Sequence, residues 1–155
     1  MASLVFDIQG DKELLRRMKK RKKKLGGAFM RKANKIAAIK IDQWTQQNFR
    51  SEGREHDDSF LHWPPLSQKT IDRRRQGPGT GTPKMLQDTG RLRGGFEISA
   101  NKGFGRVQNR VKYSVKHEFG HGRIPKRKMF PTVQQGEDIV FPAYREFVKR
   151  AINTK

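Results

Sequence analysis

Cysteine is absent, which excludes disulfide frameworks, thiolate nucleophiles and cysteine-based zinc sites. No apolar run approaches the ~18 residues that a membrane span needs. The opening Met-Ala-Ser-Leu-Val-Phe-Asp-Ile has neither the basic start nor the long apolar stretch of a signal peptide, so the expectation is a protein made in a cytosol, with no membrane partner. Acid is scarce, with 15 Asp plus Glu against 35 Lys plus Arg and a net charge of +20. Apolar bulk is scarce too. Leu, Ile, Val and Phe make up 34 of the 155 residues, close to the ~20% below which chains often stay disordered. The length suits one domain spanning 1–155. A thin core under strong self-repulsion argues against a large self-contained enzyme and for a subunit completed by a partner.

The charge lies in two blocks. Residues 1–50 carry 14 basic and 4 acidic side chains, and residues 101–128 carry 9 and 1; the stretches 51–100 and 129–155 are each +1. The densest run is Lys19, Lys20, Arg21, Lys22, Lys23 and Lys24. Six adjacent cations on a helix point in all directions, which fits a solvated helix or a surface that meets phosphate. No aromatic residue is interleaved to stack on bases.

Leu4, Phe6 and Ile8 alternate as in a short strand ended by Gly10, and Asp11 is placed to cap a helix through Leu14, Leu15, Met18 and Leu25. After the Gly26-Gly27 break, Phe29, Ala33, Ile36, Ala37, Ile41, Trp44 and Asn48 form an apolar stripe at helical spacing that ends near Ser51-Glu52-Gly53. Residues 51–62 read as a polar loop holding His56 and His62 at a solvated surface, and Ser67 is placed to cap a short helix through Arg75. The stretch 76–83, rich in Gly and Pro, predicts a mobile loop. Phe96 and Ile98, a turn at Asn101-Lys102-Gly103, and Phe104, Arg106 and Val107 predict a hairpin. Tyr113–Phe119 fits either a strand or two helical turns stopped by Gly120. A last helix is expected over about 141–153, started by Pro142. Together these predict an α+β fold with long N-terminal helices (1–50) packed on a small antiparallel sheet, followed by a C-terminal helix.

Residues 117–121, His-Glu-Phe-Gly-His, match a zinc peptidase pattern in which two histidines four apart on one helical face hold the metal. Gly120 within the motif predicts that the helix ends there and carries His121 off that face. The peptidase is therefore the weakest reading, and no catalytic, metal or cofactor site is assigned.

Three blocks carry a more specific pattern. The first holds Trp63, Pro65, Leu66, Ser67 and Thr70; the second Leu86, Asp88, Thr89, Gly90 and Leu92, running into Phe96; the third Tyr113, His117, Phe119, Gly120, Pro125 and Arg127. In this order and spacing, over about residues 63–131, the chain resembles the virion morphogenesis (tail completion) proteins of Mu-like and P2-like tailed phages. It departs from them at Lys128-Met129, where Pro-Phe is usual, and at Glu118, where Gln is common.

The resemblance implies a non-enzymatic, cofactor-free structural protein of the virion neck, made in the host cytoplasm, that helps heads join tails. It implies a homo-oligomeric ring, a hexamer or dodecamer, around the DNA channel. Its partners would be a portal-side adaptor or stopper, a tail terminator or tail tube, and genomic DNA touched without sequence reading. The 76–84 loop or the N-terminal helices would contribute to the ring interface. Trp63, Leu66 and Phe96 are expected in the core, Asp88-Thr89 as a cap, and Tyr113, His117 and Phe119 beneath the loop shaped by Pro125. Arg127 and Lys128, with the Lys19–Lys24 run, are expected to face DNA or a neighbouring subunit. The alternative is a free, non-sequence-specific nucleic-acid-binding protein whose charge is its whole function.

Overall fold

The apolar stripe that begins at Phe29 becomes one 24-residue helix, α1 (Gly27–Arg50). It starts as the Phe29 and Met30 amides bond back to the Gly26 carbonyl. It buries Ala33, Ala37, Ala38, Ile41 and Phe49, a face recurring every three to four residues. The helix ends where Glu52 and Gly53 adopt positive φ (57° and 89°) and the Gly53 amide returns to the Asn48 carbonyl at 2.9 Å. A Cβ at Gly53 would lie 2.4 Å from the Trp63 ring, so glycine here provides both the turn and the close approach.

The computed structural model describes residues 4–8 and 26–153. The first strand, β1, is Leu4–Ile8. The helix expected from Asp11 to Leu25 and the Lys19–Lys24 run lie outside the described residues. After α1 come a turn of 3₁₀ helix at Ser59–Leu61, α2 (Gln68–Gln76), α3 (Arg91–Gly94), β2 (Phe96–Ala100), β3 (Gly105–Asn109), α4 (Ser114–Phe119) and α5 (Val133–Asn153). The sheet has the order β1-β3-β2. The β2–β3 hairpin turns through Asn101, whose side-chain oxygen accepts the Gly103 and Phe104 amides at 2.7 and 3.0 Å. The fold is α+β, as the periodicity predicts.

The last helix starts nine residues before Pro142, contrary to the expected start at that proline. Thr132 and Gln135 form a reciprocal cap: Thr132 Oγ1 accepts the Gln135 amide at 3.3 Å, and Gln135 Oε1 accepts the Thr132 amide at 3.0 Å. That pair nucleates the helix upstream. Pro142 sits on an exposed position of α5, while Val140, Tyr144 and Val148 are buried.

Among the described residues the chain divides into two compact units. One takes most of α1, residues 98–108 and the α5 region. Within it, Phe29 and Phe147 stack at 4.7 Å, and the buried Tyr144 hydroxyl donates to Asn34 Oδ1. Asn34 in turn donates from Nδ2 to the Asn101 carbonyl at 2.9 Å. Burial pushes the Tyr144 phenol up to about 12.

The other unit comprises Trp44–Glu97 and Asn109–Pro131. Its core is a chain of edge-to-face aromatic rings, with Trp63 on Phe49 at 5.1 Å, Phe49 on Phe96 at 5.7 Å and Phe96 on Phe130 at 5.5 Å. This unit contains all three blocks of the 63–131 region, without residues 98–108.

Candidate functional site

Short elements and turns position the three blocks. Ser67 caps α2 by accepting the Thr70 amide, fixing the start of a helix whose last turn is Arg73-Arg74-Arg75. Arg74 turns inward, donating to the carbonyls of Lys84 (2.8 Å) and Thr82 (3.3 Å) and pairing with Asp88 at 3.8 Å. These bonds, with the Thr80 amide on the Asp88 carbonyl at 3.0 Å, pin the 76–83 stretch that the sequence predicts to be mobile. Leu86 is buried with φ 58°, a left-handed conformation that costs a bulky residue about 1–2 kcal/mol.

The third block is locked to the first. The Lys128 carbonyl accepts from Trp63 Nε1 at 2.6 Å and from Asn48 Nδ2 at 2.9 Å, with His56 Nε2 at 3.3 Å. Arg127 donates from Nε and Nη2 to the Pro64 carbonyl and from Nη2 to that of Pro65. Glu118, on α4, accepts the Met129 amide at 2.6 Å and the Phe130 amide at 3.4 Å, and pairs with Lys128 at 3.5 Å. Burial pushes the Glu118 carboxyl up, the two amides and Lys128 offsetting only part of this.

These elements enclose a cavity of about 650 Å³. The first block contributes Pro65, Leu66, Ser67 and Thr70; the second Leu86, Asp88, Thr89 and Leu92; the third Tyr113, His117, Pro125 and Arg127. Arg73, Arg74, Arg123 and Ile124 complete the wall. Four guanidiniums thus face one carboxylate. Arg73 and Arg123 have no ion-pair partner among the described residues. Burial and then the charge of Arg74 lower the Arg127 pKa, and burial and then Arg127 lower that of His117.

Several expectations are corrected. Arg127 is only 5% exposed and does not project outward, because two proline carbonyls, which no amide of their own chain stretch satisfies, take its donors. Lys128 is half-buried on Glu118. His56, expected in solvent, is 2% exposed and packs edge-on against Trp44 at 5.1 Å. Phe119 is 62% exposed with Lys128 over its ring, and Tyr113 is exposed at the cavity rim, so neither lies beneath the Pro125 loop. The expected cap is half met: Thr89 Oγ1 accepts the Arg91 amide at 3.4 Å at the start of α3, next to Gly90 in the cap position, whereas Asp88 serves Arg74 instead.

Trp63 is buried as expected, while Leu66 and Phe96 are half-buried. Trp63, Phe96, Phe119, Gly90 and Gly120 stand away from the cavity wall. The sequence reading missed Arg73, Arg74 and Arg123. The Arg73-Arg74-Arg75 run was the visible signal, hidden by the near-neutral sum over 51–100.

In the zinc-like motif, α4 ends at Phe119, and Gly120 follows with φ 80° and ψ 151°, as its position predicts. His121 lies beyond, bridged to Ile124, and so leaves the helical face of His117. Among the described residues no group of three or more His, Asp or Glu is placed to hold a metal ion, and no helix is long and apolar enough to cross a membrane. Comparison with protein-family models, curated proteins and solved structures gives no match.

Proposed function

We propose that the protein is a structural subunit of a tailed-phage neck, a tail completion protein that helps heads join tails. The observation that supports this most is convergence. Residues of all three blocks that carry the resemblance, separate in sequence, line one cavity of one unit. Trp63 and Arg127, from the first and third blocks, tie the ends of that region together. In this reading the subunits form a ring, a hexamer or dodecamer, between a portal-side adaptor or stopper and the tail terminator or tube. DNA passes through that ring without sequence reading.

A second reading, a free nucleic-acid-binding protein, is favoured by one feature. A shallow groove of about 940 Å³ runs past Gly90, Gly94 and Gly95 and is lined by Arg91, Arg110 and Lys112, a form suited to a sugar–phosphate backbone. Salt dependence separates the two. A dedicated binder holds duplex DNA as a monomer at physiological salt, whereas a neck subunit gains affinity through many copies.

The test is deletion of the gene in the parent phage or prophage, followed by negative-stain electron microscopy of the induced lysate. Filled heads and separate tails are expected. Intact, infectious particles would overturn the neck assignment.

A further inference from the structure

The cavity contains an electrostatic imbalance that its own residues do not resolve. Arg127 is nearly sealed from solvent, yet Nε and Nη2 bond only neutral carbonyls. Arg74, whose side chain is also largely buried, is matched to Asp88 at 3.8 Å. Arg73 and Arg123 add two exposed cations at the wall. A recessed charge with neutral partners costs free energy unless an anion joins it. Leu66, Ile124 and Pro125 stand in the same wall, and such apolar surroundings lower the local dielectric and strengthen any ion pair formed there.

We propose that this cavity is a docking site for an acidic polypeptide segment of a partner, whose carboxylates engage the arginine cluster while neighbouring aliphatic side chains cover the apolar wall. Duplex phosphates project from a stiff cylinder and meet exposed cations, as in the Arg91–Arg110 groove. A Glu or Asp side chain on an extended segment reaches the recessed Arg127 guanidinium and pairs with its Nη1 group, the other donors being held by the proline carbonyls. A wall of four arginines and one aspartate on a chain of net charge +20 attracts an acidic chain more strongly than another copy of itself, even where copies meet through other surfaces. The partner is therefore a different, acidic chain. The inference needs only the cavity geometry and stands apart from the neck assignment.

The test uses the full chain and a fluorescein-labelled peptide of alternating glutamate and leucine, followed by fluorescence anisotropy at physiological ionic strength. Saturable binding is expected. Changing Arg73→Ala together with Arg123→Ala should weaken it about tenfold or more. Changing Lys35→Ala with Lys40→Ala, exposed cations of the other unit, removes the same charge and should change it less than about twofold. His117 ring resonances should shift on peptide addition, because the ring borders the cavity. Equal weakening in both variants, a titration that never saturates, or an unmoved His117 signal would overturn the proposal. So would duplex DNA that outcompetes the peptide and depends more strongly on Arg73 and Arg123.

Discussion

Arg127 donates through Nε (3.1 Å) and Nη2 (2.8 Å) to the carbonyl of Pro64, joining two segments more than sixty residues apart in the chain. The bond explains why a long cation lies buried in a basic loop. Removing the guanidinium takes the charged donor away from the carbonyls of Pro64 and Pro65. Arg127→Met, which keeps the apolar stem, should lower stability by about 1–3 kcal/mol in urea denaturation, and Arg127→Lys should recover only part of that. A change below about 0.5 kcal/mol would show that the clasp contributes little.

Glu118 gives a pH signature of opposite sign to most carboxylates. Its folded pKa is raised above 4.5, chiefly by burial. Its favourable contribution is therefore complete below 4.5 and is lost as pH rises through the raised value. Glu118→Gln keeps an oxygen for the Met129 amide without the buried charge. It should be no less stable than wild type at pH 7 and should flatten the stability profile above pH 4.5. Glu118→Ala leaves the Met129 amide unpaired and should cost about 1–3 kcal/mol. His117 acts on the acid side: burial and Arg127 lower its pKa below 6.5, so its contribution is present above 6.5 and lost as pH falls through the lowered value. An NMR titration of the ring should give a midpoint below 6.5.

Tyr144 is the matching test in the other unit. Tyr144→Phe removes the hydroxyl that donates to Asn34 and should cost about 1–2 kcal/mol. The phenol is pushed up to about 12, so its contribution holds below the ordinary value of about 10 and fades as pH rises through 12. Ultraviolet titration of the folded chain should show a late tyrosinate step that is lost in Tyr144→Phe.

Gly120 ends α4 in a region of backbone space that only glycine occupies comfortably, with φ 80° and ψ 151°. A Cβ there would meet the Lys126 amide nitrogen at 3.3 Å. Gly120→Ala should cost about 1–3 kcal/mol and loosen the loop that carries Arg127. Thermal denaturation read by circular dichroism checks it.

The local patterns were legible. The stripe from Phe29 to Asn48 specifies α1 because burial of one face recurs with the helical period, and Gly120 stops α4 because nothing else suits its backbone. What was hidden depends on partners distant in sequence. Nothing near Arg127 announces the carbonyls of Pro64 and Pro65, and nothing near His56 announces Trp44. Glu118 reads as half of a zinc motif until the Met129 amide is placed against it. The early start of α5 was readable in Thr132 and Gln135, but Pro142 gave the louder signal. Arg73, Arg74 and Arg123 become a site only once the chain has folded.

The most direct test of the joining role is complementation in vitro. Extracts of the deletion phage, holding separate heads and tails, are mixed with the purified 18.0 kDa protein, and infectious particles are counted. A joining subunit restores infectivity in proportion to added protein, with joined particles visible by electron microscopy. Infectivity that stays at background while the added protein is folded and in excess would contradict it.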